Sequence, residues 1–165
     1  MESIQQTIVR HGLCIIKDQY FVDFPNATHM DNKNESRPYY LAIKTDGDIV
    51  WMIPISSKVD KYNAKIDRYV SAGRECVTCH IASVKSEKRA FLIGNAIPVT
   101  SDYIKKPFTV NGIPYVMQNS ADVREIDRKL KKYLALIRQG KMRTNVDILG
   151  IERSLLSHHL RHDKV

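Results

Sequence analysis

Cysteine is scarce in this chain: Cys14, Cys76 and Cys79 are the only three among 165 residues. An odd, small number suggests no secreted disulfide framework. The first ten residues carry Glu2, Gln5 and Gln6 where a leader's apolar stretch would begin, so the expected compartment is cytoplasmic. Glycine (7) and proline (6) are too few for a collagenous chain or a long linker. Long apolar runs are missing as well. Ile49–Ile53 is typical of the longest, far short of the roughly 20 residues of a membrane helix, so no membrane partner is expected. The remainder is ordinary for a globular protein, 43% hydrophobic and 27% charged. The length suits one domain over residues 1–165, large enough to bury a core without metal or disulfide support.

Acidic residues are the minority, 18 against 26 Lys and Arg, for a formal charge of +8. The excess is uneven. Residues 1–55 hold five basic and seven acidic side chains, whereas 56–89 hold eight and four, and 122–165 hold eleven and six. A basic middle and C-terminal region against an acidic first third suggests a polyanion-binding face.

The run Cys76-Val77-Thr78-Cys79-His80 has the spacing of covalent haem attachment. That chemistry belongs outside the cytoplasm, and Cys76–Val84 reads as a strand rather than a helix start. Zinc fares no better, because two thiols and His80 supply three ligands where a structural site takes four. Packing along a strand is the expected role of these thiols, with no metal and no cofactor.

Periodicity suggests an α+β fold. Pro38–Lys44 and Ile49–Ile55 flank Thr45-Asp46-Gly47-Asp48, a strong hairpin signal. Residues 12–16 read as a strand, and 75–84 with 90–97 as a second hairpin. Short strands so closely spaced predict a compact, strongly curved antiparallel sheet or barrel. Three helices follow from i, i+3, i+4 spacing: Lys58–Ser71, with Val59, Tyr62, Ile66, Tyr69 and Val70 inward; Asp122–Gln139; and Asn145–Leu160. Asp122 and Glu125 have the spacing of a capping box, and Gly140 supplies the stop.

The most suggestive point for chemistry is Pro54-Ile55-Ser56-Ser57-Lys58, where a buried strand gives way to a helix. Helix starts expose unpaired N–H groups and partial positive charge, which suit a phosphate. Ser57 as N-cap, with Asp60 following, is the purely structural alternative. Hairpin geometry should bring the preceding loop, with His29, Asn32, Lys33 and Arg37, beside Ser56–Lys58 and nearby Lys61. Hydroxyls and cations without a carboxylate cluster fit phosphoryl transfer, in which a base deprotonates a ribose 2′-OH and an acid protonates the leaving 5′-oxygen. Lys33 or Lys58 would act as base or charge stabiliser, with Ser56 and Ser57 binding the phosphate and Arg37 neutralising it. His29 is an alternative acid or base.

The order Phe24-Pro25, Met30-Asp31-Asn32-Lys33, Arg37-Pro38-Tyr39-Tyr40-Leu41-Ala42-Ile43 and Trp51–Lys58, followed by Glu75–Thr78 and Ala90–Val99, resembles the endoribonuclease toxins of type III toxin–antitoxin systems. Within the ToxN/AbiQ superfamily it is most similar to the CptN/TenpN branch. The likeness runs over roughly residues 12–105; the C-terminal helices match in type only. It implies a MazF/Kid-like curved sheet flanked by three or four helices, and metal-independent RNA cleavage to 2′,3′-cyclic phosphate and 5′-hydroxyl ends. The implied partners are mRNA or other cellular RNA as substrate, and a pseudoknot antitoxin RNA that the toxin processes and joins in a closed protein–RNA assembly serving phage defence. The family's Thr/Ser-Ser pair falls on Ser56 and Ser57, its following lysine on Lys58 and its loop lysine on Lys33. The proline that commonly precedes that following lysine is absent here.

Tyr39 and Tyr115 are the aromatics expected to stack on substrate bases, beside Arg37 and Lys61. Antitoxin RNA should follow a basic track of Lys65, Arg68, Lys85, Lys88, Arg89, Arg128, Lys131 and Lys132. The alternative function is a non-catalytic RNA-binding module using the same basic face.

Overall fold

The Asp-Gly turn is flanked by the two strands its sequence implies, β2 (Pro38–Lys44) and β3 (Val50–Ser56), paired antiparallel with Tyr39 opposite Pro54. The computed structural model describes residues 9–27, 32–144 and 146–163. β1 (Leu13–Ile16) pairs antiparallel with β2 on one side and β7 (Ile104–Pro107) on the other. Beyond β3 lie β5 (Glu87–Phe91) and then β4 (His80–Val84), giving the order β4-β5-β3-β2-β1-β7. β6 (Ile97–Val99) also pairs with β3. It meets Val50–Met52, whereas β5 meets Ile55 and Ser56, so both lie on one edge of β3 in succession. A small hairpin, β8 (Thr109–Val110) with β9 (Ile113–Pro114), forms a separate two-stranded sheet.

The sheet curls but does not close, which corrects the barrel expectation: among the described residues β4 and β7 are the two edges of an open antiparallel sheet of seven strands. A bulge between Leu41 and Ile43 helps bend it, and Ala42 and Ile43 both enter the same core cluster. Tyr115 lies beside β1, its carbonyl accepting from Leu13 N, and its hydroxyl accepts from Lys85 N at the tip of the β4–β5 hairpin.

The sheet is apolar on both faces, which accounts for the nearly unbroken apolar runs of β2 and β3. One core holds Tyr40, Trp51, Ile53 and Phe91 with Ile126, Leu130, Leu134 and Ile137 of α3 (Ser120–Arg138), and Ile148 and Leu155 of α4 (Ile148–Asp163). The other holds Cys14, Ile16, Tyr39, Leu41 and Met52 with Tyr20 of α1 (Asp18–Asp23). α2 (Val59–Ser71) follows the predicted helix within a residue, but it buries no side chain fully and leaves Val70 exposed. The start of α3 departs from expectation: Asn119 is the N-cap, its side chain accepting from Ala121 N and Asp122 N, so Asp122 lies inside the helix.

Residues 75–79 are turn rather than strand, and β4 begins only at His80. Cys76 and Cys79 are buried with their sulfurs 3.5 Å apart. Burial pushes the Cys79 thiol up to about 12. His80 is engaged on both ring nitrogens, by Asp122 at 3.1 Å and by the Lys129 ammonium at 3.3 Å. Among the described residues no helix is long and apolar enough to cross a membrane.

Candidate active site

β3 delivers the hydroxyl pair to the end of the sheet. Ser56 is buried, paired with Ala90, and its Oγ accepts from Lys58 N at 3.1 Å. Ser57 and Lys58 are exposed. Lys58, not Ser57, occupies the N-cap position of α2 and makes no side-chain capping bond, so the expected Ser57 cap is replaced by an ST-type turn at Ser56. Ser57, Lys58, Val59, Asp60 and Lys61 line a shallow recess of about 310 Å³. Lys61 is exposed, its ammonium 5.3 Å from the centre of the Tyr62 ring.

The hairpin brings Arg37 to this place as its register requires. Arg37 is 8% exposed and its Nη1 donates to Ile55 O at 2.9 Å. The guanidinium is thus buried against the peptide that precedes Ser56.

The loop before β2 is built with unusual backbone. Lys33, Asn34 and Glu35 have φ of 51°, 56° and 60°, three successive left-handed residues without a glycine. Ser36 N and Arg37 N both donate to Asn32 O, closing the turn. Its two ends are tied down. Buried Asn32 donates from Nδ2 to Ile16 O and to Asp18 Oδ1, both at 2.9 Å. Glu35 accepts from Asp18 N at 2.7 Å and pairs with Lys105, contacts that hold its carboxyl below the usual carboxylate range. Lys33 is exposed on this turn. The turn therefore lies at the sheet end where β1 finishes, β2 starts and β3 delivers Ser56. His29 lies outside the described residues.

The two aromatics assigned to the substrate differ in exposure. Tyr39 is wholly buried in the core between β2 and α1, which corrects its assignment. Tyr115 is half-buried and its hydroxyl is engaged by Lys85 N. The elements that carry the expected basic track are neighbours in the fold, α2 packing on β4 and β5 and α3 on β4. Arg68, Lys85, Lys88 and Lys131 are exposed, and Lys65 and Arg89 are half-buried. Three of the cations carry partners: Arg89 pairs with Glu87, while Arg128 and Lys132 both bind Glu75. Those bonds, the Arg128 one foremost, pull the Glu75 carboxyl down to about 2. The clamping contacts of Asn32 and Glu35 at the left-handed turn were not read from the sequence, which placed Asn32 in this loop without a role. The only hint is the Asn-Lys-Asn run, asparagine being the side chain that best tolerates αL.

No family model matches the chain, and no curated protein matches it. Among solved structures, the fold is similar to a chain determined in work on how a processed non-coding RNA regulates a bacterial antiviral system. The TM-score is 0.60 at 14% identity, over 87% of this chain and 96% of that one. At that identity the likeness is one of fold.

Proposed function

We propose that this chain is an RNA-cleaving toxin of the type III kind, in the CptN/TenpN branch, restrained in the cytoplasm by a structured RNA. The observation that carries the reading is the junction at the end of β3, where exposed Ser57 and Lys58 follow a buried Ser56 braced by Arg37 through Ile55 O. The strained Lys33 turn on the same sheet end supports it, and so does a fold similar to a chain from an RNA-regulated antiviral system.

In the proposed step the ribose 2′-oxygen gives its proton to a lysine amine, Lys33 or Lys58, and attacks the adjacent phosphorus. The phosphorus–O5′ bond breaks, and O5′ takes up a proton from the other cationic group. Ser56 and Ser57 orient the phosphate, and the N-terminal N–H groups of α2 offset its charge. The products are a 2′,3′-cyclic phosphate and a 5′-hydroxyl, with no water consumed. The basic track carries the antitoxin pseudoknot, whose processing by the same site and assembly with the toxin into a closed complex belong to this reading.

The test is incubation of the purified chain with single-stranded RNA in excess EDTA, followed by analysis of the termini. Cyclic phosphate ends that disappear in Ser57→Ala are the expected result. RNA that stays intact while remaining bound would replace this reading with that of a non-catalytic RNA-binding module.

A further inference from the structure

The recesses of this molecule differ sharply in charge. One, of about 630 Å³, has Asp23, Asp48 and Asp102 in its wall, which disfavours a polyanion. A second recess of about 240 Å³, between α2, α3 and the α3–α4 connection, has the opposite character. Among the described residues its charged side chains are Lys65 of α2 and Arg143 of the connection, and no described carboxylate lines it. Its floor includes Leu92, Ala96 and Tyr133, all buried, and half-buried Tyr62 contributes aromatic surface. The Tyr133 hydroxyl donates to Gly94 O at 3.2 Å, anchoring the wall that carries Asn95.

Two cations without an acid select an anion, and an apolar, partly aromatic floor selects one with a flat apolar body. The amide of Asn95 and the hydroxyls of Thr78 and Thr144 add donors and acceptors at the rim, enough to read a base edge or a ribose. A mononucleotide unit combines all of these features. Lys58 stands at the N-cap of the exposed helix α2 and Lys65 lies within it, about 10 Å along the axis at 1.5 Å per residue, a span a few nucleotides of single strand can cover.

We propose that this recess binds one ribonucleotide of the RNA, with its phosphate on Lys65 and Arg143 and its base and sugar on the apolar floor. The inference deepens the RNA-cleaving reading and rests on it for the source of the nucleotide. It adds a subsite apart from the Ser57–Lys61 recess.

The experiment titrates the four ribonucleoside 5′-monophosphates, and separately inorganic phosphate, into the full chain while following the backbone amide resonances of Gly94 and Asn95. At least one nucleotide should shift these amides saturably and bind at least tenfold more tightly than phosphate. Lys65→Ala and Arg143→Ala should each weaken it severalfold, and Ser57→Ala should leave it unchanged. Equal affinity for phosphate, shifts confined to other regions, or nucleotide binding indifferent to Lys65 and Arg143 would overturn the proposal. A parallel RNA-cleavage assay separates the two readings. RNA cleaved without any nucleotide response removes the subsite alone, whereas nucleotide binding here without cleavage removes the nuclease reading and leaves the recess a nucleotide site.

Discussion

The Arg37 guanidinium reaches across the β2–β3 hairpin to the Ile55 carbonyl, Nη1 donating at 2.9 Å with both residues buried. Removing the donor strands a buried carbonyl immediately before Ser56. Arg37→Ala should cost about 1.5–3 kcal/mol in urea unfolding, the range for hydrogen bonds to charged groups. RNA cleavage should fall at least tenfold in kcat with KM little changed, because the residue acts on the placement of Ser56. A fall confined to KM would mean that Arg37 touches the RNA instead.

Ser57 and Lys58 are exposed, so their substitution should spare the fold and strike the chemistry. Ser57→Ala and Lys58→Ala should each change unfolding free energy by no more than about 0.5 kcal/mol. Cleavage should drop about 10²-fold or more, the scale of a lost acid–base or charge-stabilising group. Growth arrest in cells should disappear while antitoxin RNA still binds. Full toxicity in both variants would move the site elsewhere.

The left-handed run at Lys33–Glu35 stores backbone strain that a glycine relieves. Asn34→Gly should therefore leave stability unchanged or raise it by up to about 1 kcal/mol. If the strained turn holds Lys33 for catalysis, the same substitution should slow cleavage. A variant at least as stable and fully active would reduce the turn to a structural curiosity of the loop.

Glu75 ties down two cations of the proposed RNA track. Glu75→Gln should release Lys132 and leave Arg128 on Glu125 alone, at 2.9 Å. It should tighten antitoxin RNA binding and steepen its salt dependence, log K against log salt, by about one unit. The stability change should be small, no more than about 1 kcal/mol for an ion pair this exposed. Unchanged affinity and slope would take these side chains off the RNA path.

His80 gives the molecule a pH dependence of known sign. Burial foremost, with the nearby Lys129 ammonium, holds its pKa below the usual histidine range, against the opposing pull of Asp122. The unfolded chain therefore binds a proton near pH 6.5 that the native state refuses until lower pH. Stability is intact above that range and is lost as pH falls through it towards the native pKa. Melting temperatures at pH 7.5 and 5.5 should differ, and the difference should shrink in His80→Gln.

Local signals in the chain carried the hairpin, α2 and the inward stripe of α3, because an Asp-Gly turn and a 3.6-residue period act over short distances. Long-range facts were out of reach. Nothing local says that β5 and β6 share one edge of β3, or that Ile93–Asn95 interrupts the predicted 90–97 strand with a 3-10 turn. Gly94 sits there so close to Thr78 that a Cβ would lie 3.1 Å from its Cβ. Cys76–Thr78 misled for a related reason, since β-compatible side chains look alike in a strand and in a buried turn. At the site, Ser56–Lys58 and the approach of Arg37 were legible from the hairpin alone. The burial of Tyr39 was not, because alternation cannot tell an open sheet face from one that α1 covers.

The outermost strand β7 reads Ile-Lys-Lys-Pro, with Lys105 and Lys106 exposed. Lysines and a proline on a free rim block the addition of a further strand. Two copies of this protein are thus discouraged from zipping together along that border.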